Sequence, residues 1–249
     1  MNKFIFGVSS AVVFLSSCGS SKPEVSVVQK DVPRISGNGT ISGKVSFSGE
    51  KPKRKDIRGQ MEAVPSCLKQ HSGPIYSEDV VIDGTGGVKN VFVRVKDGLS
   101  NQTWPVPETA VSIDQKGCVY SPHVVGAMVN QNVEFSNSDT VNHNIHPFPR
   151  NNREWNESQP PQGDKKIKTF LKEEIMVPIK CNVHPWMRVF VGVSSHPFFA
   201  VTGEDGTFTI KRLPAGEYTL EAWHEQFGIQ EVKVKVGEND SATASFTFK

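Results

Sequence analysis

The stretch KCNVHPWMRVFVGV, residues 180–193, places a cysteine, a histidine and a methionine directly before a run of alternating valines. Period-two alternation is typical of a half-buried β-strand, so the run predicts a strand that begins near Met187. The spacing Cys181-x2-His184-x2-Met187 puts three potential metal ligands on one short connection. We therefore expect a tight loop between two strands that can wrap a single metal ion.

The same period-two pattern recurs along most of the chain, and turn residues bound each segment. No stretch longer than about ten residues shows a 3.6-residue period, so only short helical turns are expected, around 58–71. The alternating segments are 40–49, 88–98, 109–114, 131–139, 187–193, 206–213, 217–225 and 230–237. The sequence therefore predicts an all-β sandwich protein.

Composition and charge exclude several classes of function. A chain of 249 residues suits one large domain or two small ones. The formal charge of +2 argues against nucleic acid as a partner, since such proteins usually carry a strong basic excess. No nucleophile elbow, phosphate-binding glycine loop or haem-attachment motif is present. The segment His224–Gly228 begins like a metalloprotease motif but lacks its second histidine, and predicts a strand end and turn. We expect no enzyme.

The N-terminus has the pattern of an export signal. Lys3 precedes an apolar run that ends in Leu15-Ser16-Ser17-Cys18, and this ending resembles the lipobox of bacterial lipoproteins. The resemblance implies a signal peptide over 1–17, a lipid anchor on Cys18 and a flexible tether over 18–39. It also implies a periplasmic location, with the outer membrane favoured by the next residue, a glycine. A plain secretory signal with an incidental cysteine is the alternative.

Two further segments carry a second resemblance. GTISGKVSFSG, near the start, and DGTFTIKRLPAGEYTL, near the end, are similar to the carboxypeptidase regulatory-like, or transthyretin-like, β-sandwich. The two segments are far apart in sequence. The resemblance therefore implies a discontinuous domain, 40–105 together with 196–249, into which residues 106–195 are inserted.

The side chains of the insert fit one metal chemistry. A thiolate, two imidazoles and a thioether form the ligand set of blue-copper sites, and these serve both oxidation states of copper. Cys181, His184 and Met187 supply three of these groups, and the segment NHNIH offers His143 or His146 for the fourth. Zinc could occupy the same ligands, but the thioether is a poor zinc ligand and favours copper.

Residues 108–194 resemble the cupredoxins, and the short ligand loop is similar to that of amicyanin, pseudoazurin and plastocyanin. In that family an asparagine follows the first histidine ligand, and His143-Asn144 carries the match. The resemblance implies a Greek-key β-sandwich that binds one copper ion through His143, Cys181, His184 and Met187. It further implies that Asn144 braces the cysteine loop, and that His184, Pro185 and Trp186 form an exposed apolar patch. Packing of Trp186 in the core is the alternative.

Cys67 and Cys118 remain after Cys18 and Cys181 are assigned, and two interpretations stay open. Disulfides persist in exported proteins, so the pair can form one. Alternatively, Cys67-x3-His71 and Cys118-x4-His123 can build a second metal site.

One copper ion carries one electron at a time, and no His-x-His pair of the multicopper oxidases is present. The expected function is single-electron transfer with a redox protein such as a c-type cytochrome or a dehydrogenase, at a membrane reached through the lipid anchor. The alternative is a transthyretin-like binding or scaffold lipoprotein whose insert stores or senses copper, or is not redox active. The long polar loop over 149–166 is a candidate for shaping partner docking.

Overall fold

The computed structural model describes residues 37–249, and these are almost entirely β-structure, which confirms the predicted all-β class. The expected signal peptide, the lipidation site Cys18 and nearly all of the tether lie outside the described residues. Neither helix within 37–249 has the length or apolar character needed to cross a membrane.

Sixteen strands and two one-turn helices form the described part of the chain. The helices, α1 (Arg58–Met61) and α2 (Pro65–Leu68), lie in the region where helical turns were expected. The strands are β1 (Gly39–Phe47), β2 (Phe92–Asp97), β3 (Val111–Gln115), β4 (Tyr120–Ser121), β5 (Val124–Met128), β6 (Asn132–Asn137), β7 (His143–Pro147), β8 (Glu157–Gln159), β9 (Lys166–Thr169), β10 (Glu174–Lys180), β11 (Arg188–Ser194), β12 (Phe199–Val201), β13 (Thr207–Leu213), β14 (Gly216–His224), β15 (Gly228–Val236) and β16 (Ser241–Phe248).

Strands from the two ends of the described chain form what we call the outer sandwich. One sheet has the order β13-β1-β16 and the other the order β12-β2-β14-β15. Alternate residues of both sheets meet in one core, in which Ile41, Val93, Leu220 and Phe246 are buried. Strands distant in sequence thus pack together in one core.

Strands β3 to β11 form what we call the inner sandwich. Its sheets have the orders β5-β11-β10-β7-β8 and β4-β3-β6-β9. Its core also contains Ile57, Met61, Cys67 and Ile75, from the connection between β1 and β2. We call residues 57–75 the cap segment. The sequence assigned this segment to the transthyretin-like unit, whereas its apolar side chains pack in the inner sandwich.

Two glycines allow the sandwiches to pack against each other. Gly126 on β5 lies opposite Gly192 on the parallel strand β11. A Cβ atom at Gly126 would lie 2.4 Å from the ring of Phe199, and one at Gly192 would lie 2.7 Å from the ring of Phe92. Both distances are far below van der Waals contact, so larger residues would push these aromatic rings of the outer sandwich out of place.

His224 ends β14, and a turn follows it, as predicted. Its Nδ1 accepts hydrogen bonds from the backbone amides of Gln226 and Phe227, at 3.2 and 3.3 Å. Its Nε2 is buried without a hydrogen-bond partner among residues 37–249. Burial lowers the pKa of His224 from 6.5 to about 4.

We expect this histidine to make folding sensitive to acid. Between pH 6.5 and pH 4 the unfolded chain binds a proton that the folded protein does not, so stability rises with pH in this window. As pH falls from 6.5 to 4, the unfolding free energy of the natural protein should decrease by about 3 kcal/mol more than that of the His224→Asn variant. Asparagine keeps a hydrogen-bond acceptor for the turn but does not titrate. Urea unfolding of both metal-free proteins at several pH values measures this, and parallel pH profiles would contradict it.

Candidate metal centre

The loop predicted from the sequence connects β10 to β11, which pair antiparallel. The backbone amide of Met187 donates to the carbonyl of His184 at 2.9 Å, and that of Cys181 donates to the carbonyl of Met187 at 3.3 Å. These bonds close the loop tightly. The side chains of Cys181, His184 and Met187 are buried, with relative exposures of 2%, 4% and 1%. The loop therefore keeps all three candidate ligands away from solvent.

A fourth candidate ligand comes from the neighbouring strand. β7 begins at His143 and pairs antiparallel with β10, so that His143 lies beside the loop that follows β10. His143 Nδ1 lies 2.9 Å from His184 Nδ1, and Cys181 Sγ lies 3.6 Å from His184 Nδ1 and 4.0 Å from His143 Nδ1. Metal–nitrogen bonds near 2.0 Å and metal–sulfur bonds near 2.3 Å put ligand atoms about 3 to 4 Å apart. One ion can therefore bind all three atoms.

His146, the other candidate in NHNIH, points away from this cluster. Its Nδ1 lies 3.1 Å from Asn182 Oδ1, and its Nε2 lies 2.7 Å from Glu154 Oε1. Of the two histidines, His143 therefore lies beside Cys181 and His184, and His146 does not. His143 is the one that the cupredoxin resemblance selects. Met187 belongs to the same buried core as Cys181.

The surroundings of Cys181 favour its thiolate, which is the form that binds metals. Burial alone would raise the pKa of this thiol. Hydrogen bonds from His143, His184 and the backbone amides of Asn144 and Val183 outweigh burial and lower the pKa from 9.0 to about 6. The thiolate and the two imidazoles lie close enough together to hold one metal ion.

The carboxylate of Asp139 orients the ring of His143. Asp139 was not among the site residues predicted from the sequence. Its Oδ2 lies 2.8 Å from His143 Nε2, and its carboxylate accepts hydrogen bonds from the backbone amides of Gly117 and Cys118, at 2.6 and 2.8 Å. Burial opposes ionisation, but these hydrogen bonds lower the pKa of Asp139 below its usual value. A carboxylate on the far nitrogen of a ligand histidine fixes which nitrogen faces the metal. Asp139 lies on the loop between β6 and β7, where no periodic pattern in the sequence marks it.

Asn144 links the first histidine to the cysteine loop. The side-chain oxygen of Asn144 accepts a hydrogen bond from the backbone amide of Asn182. The backbone amide of Asn144 donates to Cys181 Sγ at 3.5 Å. The backbone carbonyl of Asn144 accepts a hydrogen bond from the Tyr120 hydroxyl at 2.8 Å, and its side-chain NH₂ group donates to Asn156 Oδ1 at 2.5 Å. These hydrogen bonds tie Asn144 to the cysteine loop, to Tyr120 and to Asn156.

The cap segment contacts the far ring nitrogen of His184, Nε2, which points away from the candidate ligand atoms. Cys67 forms a disulfide with Cys118, and its sulfur lies 3.6 Å from His184 Nε2. Trp186 is partly buried and donates its indole N–H to the Cys118 carbonyl at 2.8 Å. Of the expected exposed patch, only Pro185 is exposed. The expectation for His184 was wrong because a segment more than 100 residues earlier packs over its ring.

The alternative prediction of a second metal site is also wrong, because His71 and His123 do not join the two cysteines. His71 Nε2 lies 2.7 Å from the Gly117 carbonyl, and His123 pairs with Glu225. Both imidazoles are thus engaged away from the two cysteine sulfurs, which are joined to each other.

We expect the Cys67–Cys118 disulfide to stabilise the fold strongly. It closes a loop with a sequence separation of 51, and the entropy removed from the unfolded chain corresponds to about 4 kcal/mol. Urea unfolding of the metal-free Cys67→Ala/Cys118→Ala variant should show a loss of this size. Thiol titration of the denatured, unreduced protein is the control. Free thiols at Cys67 and Cys118, in addition to Cys181, would contradict the disulfide.

Comparisons with known proteins agree with a β-sandwich. Residues 180–247 match the β-sandwich domain of ER membrane protein complex subunit 7, a segment that runs from the ligand loop to β16. The comparison with curated protein sequences found no match.

Similar solved structures include copper proteins. A purple cupredoxin from Nitrosopumilus maritimus is 26% identical over 34% of this chain and 99% of its own, with a TM-score of 0.30. Amicyanin from Paracoccus versutus is 21% identical over 41% of this chain and 97% of its own, with a TM-score of 0.31. A copper-containing nitrite reductase from Thermus scotoductus SA-01 is 19% identical over 39% of this chain, with a TM-score of 0.32, and the chain spans only 25% of that enzyme.

Proposed function

We propose that this protein binds one copper ion and transfers single electrons between redox partners. The ligands are His143, Cys181, His184 and Met187. The observation that carries the proposal is the buried convergence of one sulfur and two imidazole nitrogens, all within 4.0 Å of one another. When bound, copper supplies a one-electron couple, and thiolate, imidazole and thioether together suit both of its oxidation states.

The residues around the ligands support this role. The Asp139 carboxylate fixes His143, while Asn144 fixes the loop that contains Cys181. All four ligand side chains are buried, so water is excluded from the site. A rigid, dry site changes little in geometry when an electron is gained or lost, which favours electron transfer over catalysis by this protein. We extend the proposal to a periplasmic location, a lipid anchor at Cys18, and a c-type cytochrome or dehydrogenase as partner.

Copper titration followed by voltammetry tests the proposal. We expect one equivalent of Cu²⁺ to bind tightly and to give a reversible one-electron wave. Zn²⁺ is the matched control, because it can use the imidazoles and the thiolate but gains little from the thioether of Met187. Binding of zinc in preference to copper, or a copper complex without a reversible wave, would contradict the proposal.

Copper storage or sensing, on a binding or scaffold protein, is the second candidate function. Two observations favour it: the match to a subunit of a membrane protein complex over 180–247, and the cover over His184. Storage requires release of copper, whereas electron transfer requires that copper stay bound in both oxidation states. Colourless, redox-silent copper binding that a Cu(I) chelator readily reverses would support storage.

A further inference from the structure

A preformed groove lies beside the inner sandwich, between residues 151–155 and 167–172. It has a volume of about 540 Å³. The side-chain oxygen of Asn152 accepts hydrogen bonds from the backbone amides of Leu171 and Lys172, at 2.8 and 3.0 Å. These bonds hold the two walls together, so the groove does not depend on an occupant for its shape.

The groove combines apolar and positively charged surface. Ile167 and Leu171 are 56% and 68% exposed, and Trp155 also lines the groove. The lining contains three cations, Arg153, Lys168 and Lys172, and no carboxylate. Lys168 lies over the Trp155 ring, 4.9 Å from its centre, and pairs with Glu157.

Two of the three cations are free to meet a partner. The side chains of Arg153 and Lys172 are exposed, and within residues 37–249 neither forms an ion pair. An exposed apolar surface rimmed by unpaired charge of one sign is typical of a docking site for a partner of the opposite charge.

A continuous path of bonds connects this groove to the candidate thiolate ligand. Trp155 is covalently followed by Asn156, whose Oδ1 accepts a hydrogen bond from the Asn144 side chain at 2.5 Å. The backbone amide of Asn144 in turn donates to Cys181 Sγ at 3.5 Å. The far nitrogen of His184, by contrast, faces the buried disulfide.

We propose that this groove docks the acidic face of a one-electron redox protein, with an apolar side chain of the partner against the exposed Ile167 and Leu171, beside Trp155. The electron then passes along Trp155, Asn156, Asn144 and Cys181. This inference rests on the proposed function, and it adds the docking surface, the charge of the partner and the route. The partner's carboxylates face Arg153 and Lys172, and this attraction speeds its association.

The docking step can be tested without copper. The probe is hexacyanochromate(III), a paramagnetic and redox-inert trianion that stands in for the partner's carboxylates. In NMR spectra of the metal-free protein we expect it to broaden the amide signals of Arg153, Leu171 and Lys172. The variant Arg153→Glu/Lys172→Glu should lose this broadening. The control, Lys211→Glu/Lys233→Glu, changes the charge equally on exposed strands of the outer sandwich and should keep it.

The route is tested on the copper-loaded protein after reduction to Cu(I), which then gives one electron to an added oxidant. We expect reversal of Arg153 and Lys172 to slow oxidation by hexacyanoferrate(III) about tenfold at low salt, the lower end of typical electrostatic steering. Oxidation by the cation tris(phenanthroline)cobalt(III) should not be slowed. The outer-sandwich control should match the natural protein with both reagents. Trp155→Leu should slow both reagents, and Trp155→Phe, which keeps an aromatic ring, should restore most of the rate.

The outcomes separate this inference from the proposed function. If copper gives its charge-transfer band and one-electron wave but the groove variant matches the natural protein in both tests, the groove is wrong and the function stands. Slowing by Val183→Asp instead, on the exposed ligand loop, would place electron entry there and overturn the groove. Groove-dependent binding to anionic phosphatidylglycerol vesicles, without an effect on either oxidation rate, would assign the surface to lipid and also overturn it.

Discussion

Replacing Cys181 with serine should remove essentially all of the intense visible absorption of the copper-loaded protein. That absorption requires charge transfer from a thiolate to copper, and a serine hydroxyl does not ionise at neutral pH. The Cys181 sulfur lies within 4.0 Å of both candidate histidine nitrogens. Among residues 37–249 the other two cysteines, Cys67 and Cys118, are joined in a disulfide, so neither supplies a thiolate in its place. Absorption spectra after addition of one equivalent of Cu²⁺ measure the effect, and circular dichroism checks that the variant is folded.

The two histidines of NHNIH provide the matched controls for this variant. His146→Ala should keep the absorption, because the ring lies against Asn182 and Glu154 and away from the sulfur. His143→Ala should lose it, since Nδ1 of His143 lies 2.9 Å from Nδ1 of His184. The reverse result for the two alanine variants would show that the choice of His143 is wrong.

Asp139→Asn is expected to have the second largest effect. The carboxylate accepts three hydrogen bonds, from His143 Nε2 and from the backbone amides of Gly117 and Cys118. An asparagine has only one oxygen, and its NH₂ group would face at least one of these donors. We expect copper affinity to fall by about 10- to 100-fold, as for other partners of ligand histidines. We also expect the unfolding free energy of the metal-free protein to fall by about 3 kcal/mol, because the variant leaves buried donors unpaired.

Asp114→Asn is the matched control for this variant. Asp114 accepts hydrogen bonds from the hydroxyls of Ser136 and Ser138, at 2.8 and 3.0 Å, and an asparagine oxygen can still accept them. Copper affinity, measured by competition with a chelator, should be unchanged in this variant. Equal affinities for the Asp139 and Asp114 variants would show that the carboxylate does not position His143.

The strands that the sequence predicted have strong period-two patterns. For two of the strands that were missed, β10 and β16, the composition explains why. β10 contains Pro178, which cannot donate a ladder hydrogen bond and argues against a strand. β16 consists largely of Ser, Thr and Ala, so its buried Ala244, Phe246 and Phe248 stand in a weak pattern. Both strands form because neighbouring strands already supply a sheet and a core. A single segment of sequence does not report such tertiary support.

The candidate site divides in the same way between local and distant contributions. Cys181, His184 and Met187 are close in sequence, so their spacing alone predicted a shared loop. The place of His143 followed from a family resemblance, since β7 joins β10 only through the sheet. The contact between the Cys67 sulfur and the His184 ring could not be predicted, because the two residues are 117 positions apart along the chain. Asp139 was missed because one carboxylate on a loop is indistinguishable, in sequence, from a solvated one.

The visible absorption spectrum of the copper-loaded protein, recorded before and after ascorbate, tests most directly whether Cys181 and the two histidines bind one redox-active copper ion. We expect an intense band that saturates at one equivalent of Cu²⁺, disappears on reduction and returns on reoxidation. A spectrum without that band, from a folded protein with copper bound, would contradict it.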